Sequence, residues 1–229
     1  IAVAMLALLL LARRQKSLGL LYALVAVYTL YYMFLVPVTF GWYTAPLAAS
    51  AILLCAKGAG DLLRARPRLA WGGAAVYLGA LVWVLPTTFT AERNIQQIVE
   101  EGIRAKIGRY LNEVAAPNQT IGCEPLGYIG YYSQRTIYDY PGLASRNVVA
   151  HIRTDPGKGL ITVLRRFRPD FIVLRRQEME TYTRDKDGGF LLSEYHELRR
   201  FAVDQRDRQR LLFPDANIDT DFLVLKKGL

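Results

Sequence analysis

The chain has 229 residues, 52% of them hydrophobic, with 29 Lys and Arg against 20 Asp and Glu and a formal net charge of +9. These proportions exclude a disordered, collagen-like or disulfide-dense chain. Charge is divided unevenly, with seven basic residues and one acid, Asp61, before Pro86, and 22 basic and 19 acidic residues after it. A nearly charge-free part joined to a mixed-charge part reads as membrane helices followed by a globule, and not as a simple soluble enzyme.

Residues 1–12 are apolar but reach only about 18 Å as a helix, short of the ~30 Å hydrocarbon core. They read as the tail of a longer helix, which makes the chain a C-terminal fragment whose N-terminal part is missing. A signal peptide is the alternative. Against it stand the basic cluster Arg13, Arg14 and Lys16 after the apolar stretch, the initial Ile and the lack of an A-x-A site. From Ser17 to Ala56 there is no charge, a run twice the ~20 residues that one span requires. Pro37 and Pro46 bracket VTFGWYTA, where Gly41 loosens the backbone and Trp42 and Tyr43 carry the amphipathic rings favoured at a membrane interface. This turn separates spans over 18–36 and 46–63, and a third runs over 69–86. The expected fold is membrane α-helical, three full spans plus a truncated one, followed by a small extracytoplasmic α/β domain. The corresponding domains are 1–86 and 87–229. Basic residues at 13–16 and 64–68 set those junctions in the cytoplasm, so the aromatic turn and everything after Pro86 face outward. Lys57 and Asp61, four apart near the inner end of a span, read as a locally neutralised pair, with an ion or proton path as the functional alternative.

Over 91–115 the apolar residues Ile95, Ile98, Val99, Ile103, Ile107, Leu111 and Val114 recur at helical spacing, and the other face mixes acids and bases. Strands are expected at 120–123, 136–139 and 171–174, with short helices at 126–132 and 159–167. The last portion reads as two antiparallel strands, 195–203 and 221–225. RDKDGG, just after Tyr182, reads as a loop. Cys55 falls in a span and Cys123 in the outer domain, so no disulfide is expected between them.

Gly127 and Gly130 do not complete a dinucleotide fingerprint or a phosphate-binding loop. Asp219-Thr-Asp221 has the form of a metal-binding D-x-D but reads as a solvated turn, and His151 and His196 lack the partners of a zinc site. Asn118 opens a glycosylation sequon in form only. Arginines cluster at 165–168, 175–176 and 199–210, but acids are interleaved, which argues against nucleic acid and leaves membrane lipids as partners for a subset. The densest chemical segment is 124–143, with Glu124, Tyr128, Tyr131, Tyr132, Arg135, Tyr138, Asp139 and Tyr140 near predicted strand ends. Tyrosines with carboxylates and an arginine suit a sugar or a lipid-linked phosphate; core aromatics with satisfied hydroxyls are the alternative.

EPLGYIGYYS from Glu124, TIYDYPGL from Thr136 and RPDFIVLR from Arg168 resemble the C-terminal extracytoplasmic domain of bacterial membrane glycosyltransferases of the C-type fold, the aminoarabinose-transferase and protein-mannosyltransferase group. FGWYTAP resembles the outward loop before a late membrane helix in those proteins. The resemblance implies a bacterial inner-membrane enzyme that takes a lipid-linked sugar donor, a polyprenyl phosphate, and passes the sugar to an acceptor on the outer face. No cofactor is expected, and no metal ligand is assigned among these residues. The general base of that family lies in a first outward loop that this chain does not contain, so no catalytic residue is carried over and the chain alone is expected to be inactive. The substrate-binding residues expected are Trp42 and Tyr43 at the lipid-sugar entrance and Glu124, Tyr128, Tyr131, Arg135 and Asp139 capping the cavity. The rival from another class is a non-enzymatic membrane-anchored protein whose outer domain binds an envelope partner.

Overall fold

A computed structural model describes residues 19–35, 45–154, 159–212, 214 and 218–228. The chain divides into two compact units, Ile1–Pro86 and Thr87–Leu229. The first unit contains α1 (Gly19–Phe34), α2 (Ala45–Ala65) and the start of α3 (Pro67–Asn94). α1 packs on α2, whose buried residues Ser50, Ala51, Leu54 and Gly58 recur at helical spacing and are mostly small enough for close approach.

Three full spans are not what the described residues form. Among the described residues, two helices are long and apolar enough to cross a membrane: α2, and the helix that starts at Pro67 and runs unbroken to Val114. Of the first expected span the described residues include a helix of 16, about 24 Å at 1.5 Å per residue, and residue 18 and residue 36 lie outside the description. The expected truncated span, and the turn with Trp42 and Tyr43, lie outside the described residues. Counting uncharged residues overestimates spans, because it measures how much chain lipid would tolerate and not where helical bonding stops. The unit boundary falls at Pro86 as expected, but the helix does not end there. Pro86 lacks the N–H that would bond the Val82 carbonyl, yet α3 continues to Asn94. The second unit is helix-rich and built on a mixed sheet, not the small α/β domain expected.

In this unit the amphipathic stretch continues as a π-helical segment (Ile95–Arg104) and α4 (Ala105–Val114). Bonding from i to i+5, as from the Ala105 amide to the Glu100 carbonyl, widens the turn. Ile98 and Ile103, five apart, are thereby both buried. The elements after α4 are β1 (Thr120–Cys123), α5 (Leu126–Ser133), β2 (Thr136–Asp139), α6 (Arg146–Thr154), α7 (Leu160–Phe167) and β3 (Phe171–Arg175). They are followed by α8 (Arg176–Arg184), α9 (Gly189–Glu194), β4 (Tyr195–Ala202), α10 (Gln205–Arg208) and β5 (Asp221–Lys227).

The sheet order is β2-β1-β3-β5-β4, with β1 parallel to β2 and β3, and β5 antiparallel to both β3 and β4. Successive residues of β3 and β5 point to opposite faces. Phe171, Val173, Phe222 and Val224 join Ile107, Leu111, Ile121 and Ile129 in one core. Ile172, Leu174, Leu223 and Leu225 join Leu160, Ile161, Leu164 and Tyr195 in the other. A sheet covered on both faces explains why Phe171 to Arg175 are all buried. Gly122 in β1 is required by close packing, since a Cβ there would stand 2.4 Å from Leu164 Cδ2 and 2.8 Å from Pro169 Cγ.

Candidate functional site

The chain leaves β1 toward β2 on one side, and after β2 returns past β1 to β3 on the other. Adjacent parallel strands whose onward connections diverge open a crevice at their carboxyl ends, where ligands of such sheets bind. Here that switch point lies between the ends of β1 and β3, which the Arg175–Glu124 ion pair bridges. Because β5 runs antiparallel and pairs Phe222 with Arg175, the residues just before β5 arrive at the same edge.

Arg175, the last residue of β3, is 7% exposed and occupies the centre of this edge. It donates from Nε to Asp219 Oδ1 at 2.5 Å and from Nη1 to Glu178 Oε1 at 2.8 Å, and Nη1 is also 2.5 Å from Glu124 Oε2. Glu178 owes its position to helix chemistry: its carboxylate accepts the Arg175 amide at 2.8 Å and caps the first turn of α8. Asp219 is shared. Its other oxygen accepts from Arg104 Nη2 at 2.8 Å, and Arg104 Nη1 pairs with Glu100 at 2.5 Å. The result is an alternating chain of acids and guanidiniums, four carboxylates to two arginines. Glu124 is its most open member, with 39% of the side chain exposed against 24% for Asp219 and 20% for Glu178.

The electrostatics follow from burial. Desolvation pushes the Glu178 carboxyl above its ordinary value, against the pull of Arg175. Its three acidic neighbours hold Arg175 protonated despite burial. Tyr182, on the next turns of α8, is pushed up to about 12, first by burial and then by the Glu178 charge. The Cys123 thiol is raised by burial and by Asp139, which makes it inert as a nucleophile. The Tyr140 amide donates to the Cys123 carbonyl at 3.4 Å, which brings Tyr140 to the same edge. Four carboxylates against two arginines leave this strand edge with an excess of hydrogen-bond acceptors and of negative charge. Among the described residues no group of His, Cys, Asp and Glu is arranged to hold a metal ion.

A family model matches residues 93–218, more than half of the chain and nearly all of the sheet unit. The chain belongs to the DUF8728 family, a domain of unknown function. No curated protein and no solved structure matches it. The DUF8728 match contains Arg104, Glu124, Arg175 and Glu178 and stops one residue before Asp219.

Within the DUF8728 domain the residues expected from sequence are dispersed. Glu124 alone among them joins the Arg175 network. Asp139 ends β2 fully buried, and its carboxylate accepts the amides of Leu143 at 2.5 Å and Ala144 at 3.0 Å, so it closes a loop. Arg135 precedes β2 at the opposite edge of the sheet, where its guanidinium donates to the carbonyls of Asn112, Ser133, Gln134 and Ala115 and caps the end of α4. Tyr128 accepts from Gln96 on the π-helical segment, and Tyr131 is 70% exposed on α5 with its ring edge-on to Tyr132. Trp42 and Tyr43 lie outside the described residues. Asp219-Thr-Asp221 is not a solvated turn: Asp219 belongs to the network, and Asp221 pairs with Arg200 at 2.5 Å. Sequence reading missed Arg175, Glu178, Asp219 and Arg104. The one available signal was an arginine closing the fully apolar run FIVL.

A concavity of about 540 Å³ runs along β2 and is lined by Arg135, Thr136, Tyr138, Ser145 and Arg146.

Proposed function

We propose that this DUF8728 chain is the hydroxyl-binding part of an inner-membrane glycosyltransferase of the polyprenyl-phosphate type, with its sheet unit on the outer side of a bacterial membrane. In this reading the strand edge at β1 and β3 receives the sugar or the acceptor, and Glu124 accepts a hydrogen bond from a hydroxyl that Arg175 helps to orient. One observation carries it: Glu124 is a solvent-open carboxylate fixed by a buried guanidinium at the carboxyl end of parallel strands, beside Tyr140 and Tyr182. In this reading the acid excess disfavours the departing phosphate at this edge, and the lipid phosphate is bound elsewhere. Two apolar helices fit a lipid-linked substrate.

The test is transfer from a synthetic polyprenyl-phosphate mannose in membranes that carry the protein as naturally expressed. Glu124→Gln is expected to lower transfer roughly tenfold or more, the loss that follows removal of one charged hydrogen bond. Unchanged transfer in that variant removes Glu124 from the reaction. The cleft along β2, a sheet edge with unpaired backbone groups, favours a second reading: a membrane-anchored protein that binds an envelope partner there. That reading gains if membranes with the unaltered protein transfer no sugar.

A further inference from the structure

The charged segment after β4 is fastened to the point at which the long helix turns polar. From residue 69 to Phe89 the helix is apolar apart from a few hydroxyls and Pro86, and Glu92, Arg93 and Asn94 then come within one turn. Asn94 Nδ2 donates to the Arg210 carbonyl at 2.7 Å, and Arg210 Nη2 reaches Asn94 Oδ1 at 3.4 Å. Leu211, the next residue, is buried against Ile98 and Val99. These contacts hold residues 205–212 beside the helix at the level of Asn94. Five residues past Phe89 is about 7.5 Å along a helix, the depth of the headgroup layer outside the hydrocarbon core. If this helix crosses a bilayer, the segment therefore meets the lipid phosphates.

Its composition suits that level. Arg93 and Arg206 are exposed and have no acidic partner among the described residues, and Arg210 is half exposed. Arg208 is partly exposed, with Nε engaged by the Pro214 carbonyl. Of the acids here, Asp204 caps α10 by accepting the Asp207 amide at 2.7 Å, Asp207 pairs with Arg210 at 2.8 Å, and Glu92 is exposed. Leu212 is 53% exposed immediately after these arginines. Arginine heads over an unburied leucine are the make-up of a segment that lies in a membrane interface.

We propose that residues 205–212 form a membrane-surface anchor. Arg93, Arg206, Arg208 and Arg210 bind the phosphates of anionic phospholipids, and Leu212 enters the acyl boundary. The anchor pins this end of the sheet unit to the bilayer, independently of what the β1/β3 edge binds.

The experiment is amide hydrogen exchange of the full chain in nanodiscs of phosphatidylcholine alone or with about one-third phosphatidylglycerol. Amides 208–211 are expected to exchange roughly fivefold more slowly in the anionic discs, and high salt is expected to abolish the difference. In the R206Q/R208Q/R210Q variant the two lipids are expected to give equal rates, with the amides of β3 unchanged as the sign of an intact sheet. Equal rates for the unaltered protein in both lipids overturn the proposal. So does a lipid difference that survives high salt, which keeps the test decisive if the triple variant does not fold.

Discussion

β1 and β2 lie side by side, parallel and in register, with Cys123 opposite Asp139. Each delivers a carboxylate at its carboxyl end, and the two carboxylates have opposite fates. Asp139 is fully buried and saturated by the amides of its own loop. Glu124 is held by a guanidinium from the neighbouring strand and remains open to solvent. Residue type and topological position are nearly the same, so the difference lies in what surrounds them. Backbone amides turn an acid into a structural brace, whereas a charged partner from the next strand leaves it able to meet a ligand.

The sharpest way to break this contrast is to remove the partner. Arg175→Met leaves Glu124, Glu178 and Asp219 facing one another around an apolar side chain. Loss of one member of a buried ionic cluster is expected to cost about 3–5 kcal/mol. Urea unfolding in mild detergent, followed by a signal from the sheet unit, measures it. A loss below about 1 kcal/mol would mean that the three acids are effectively solvated and that Arg175 organises nothing. The next largest effect belongs to the other strand. Asp139→Ala strips the acceptor from two loop amides and is expected to cost about 2 kcal/mol, with transfer activity following stability and no more. If that variant lost activity while its unfolding midpoint held, Asp139 would belong with Glu124.

Local patterning made the strands legible, and it also explains what stayed hidden. The run Phe171 to Leu174 announced a buried strand, but the reading stopped where the apolar residues stopped. The strand continues one residue further, and that residue is Arg175, the centre of the network. A site at a strand end is by nature the place where the apolar pattern breaks. Asp219 was illegible for a different reason, since its partners Arg175 and Arg104 stand 44 and 115 positions away. Nothing near Asp219 in the chain distinguishes an acid met by two guanidiniums from one met by water. Arg135 and Asp139 were read as ligand residues because strand ends attract function, but both answer a commoner demand, that buried backbone carbonyls and amides find partners. The span count differs because uncharged length and helical length are different quantities: among the described residues two helices are long and apolar enough to cross a membrane, not three.

The smallest effect tests which force governs the acid between these two cases. Glu178 is more buried than Glu124 and, unlike Asp139, faces a guanidinium. Burial holds its carboxyl above the ordinary value of 4.5, while Arg175 pulls it down. With burial dominant, the folded state binds this proton more tightly than the unfolded chain does. The associated stability is then fully present below about pH 4.5 and is lost as pH rises through the raised value. Glu178→Gln keeps the shape and an acceptor for the Arg175 amide but does not titrate. Stability of the unaltered protein relative to this variant is therefore expected to fall as pH rises from about 4.5 toward neutrality, a slope in which all other titrating groups cancel. Parallel unfolding midpoints across that interval would mean that the two forces balance. A rising difference would mean that Arg175 outweighs desolvation, so that Glu178 carries its charge throughout and the strand edge is more acidic than its burial implies.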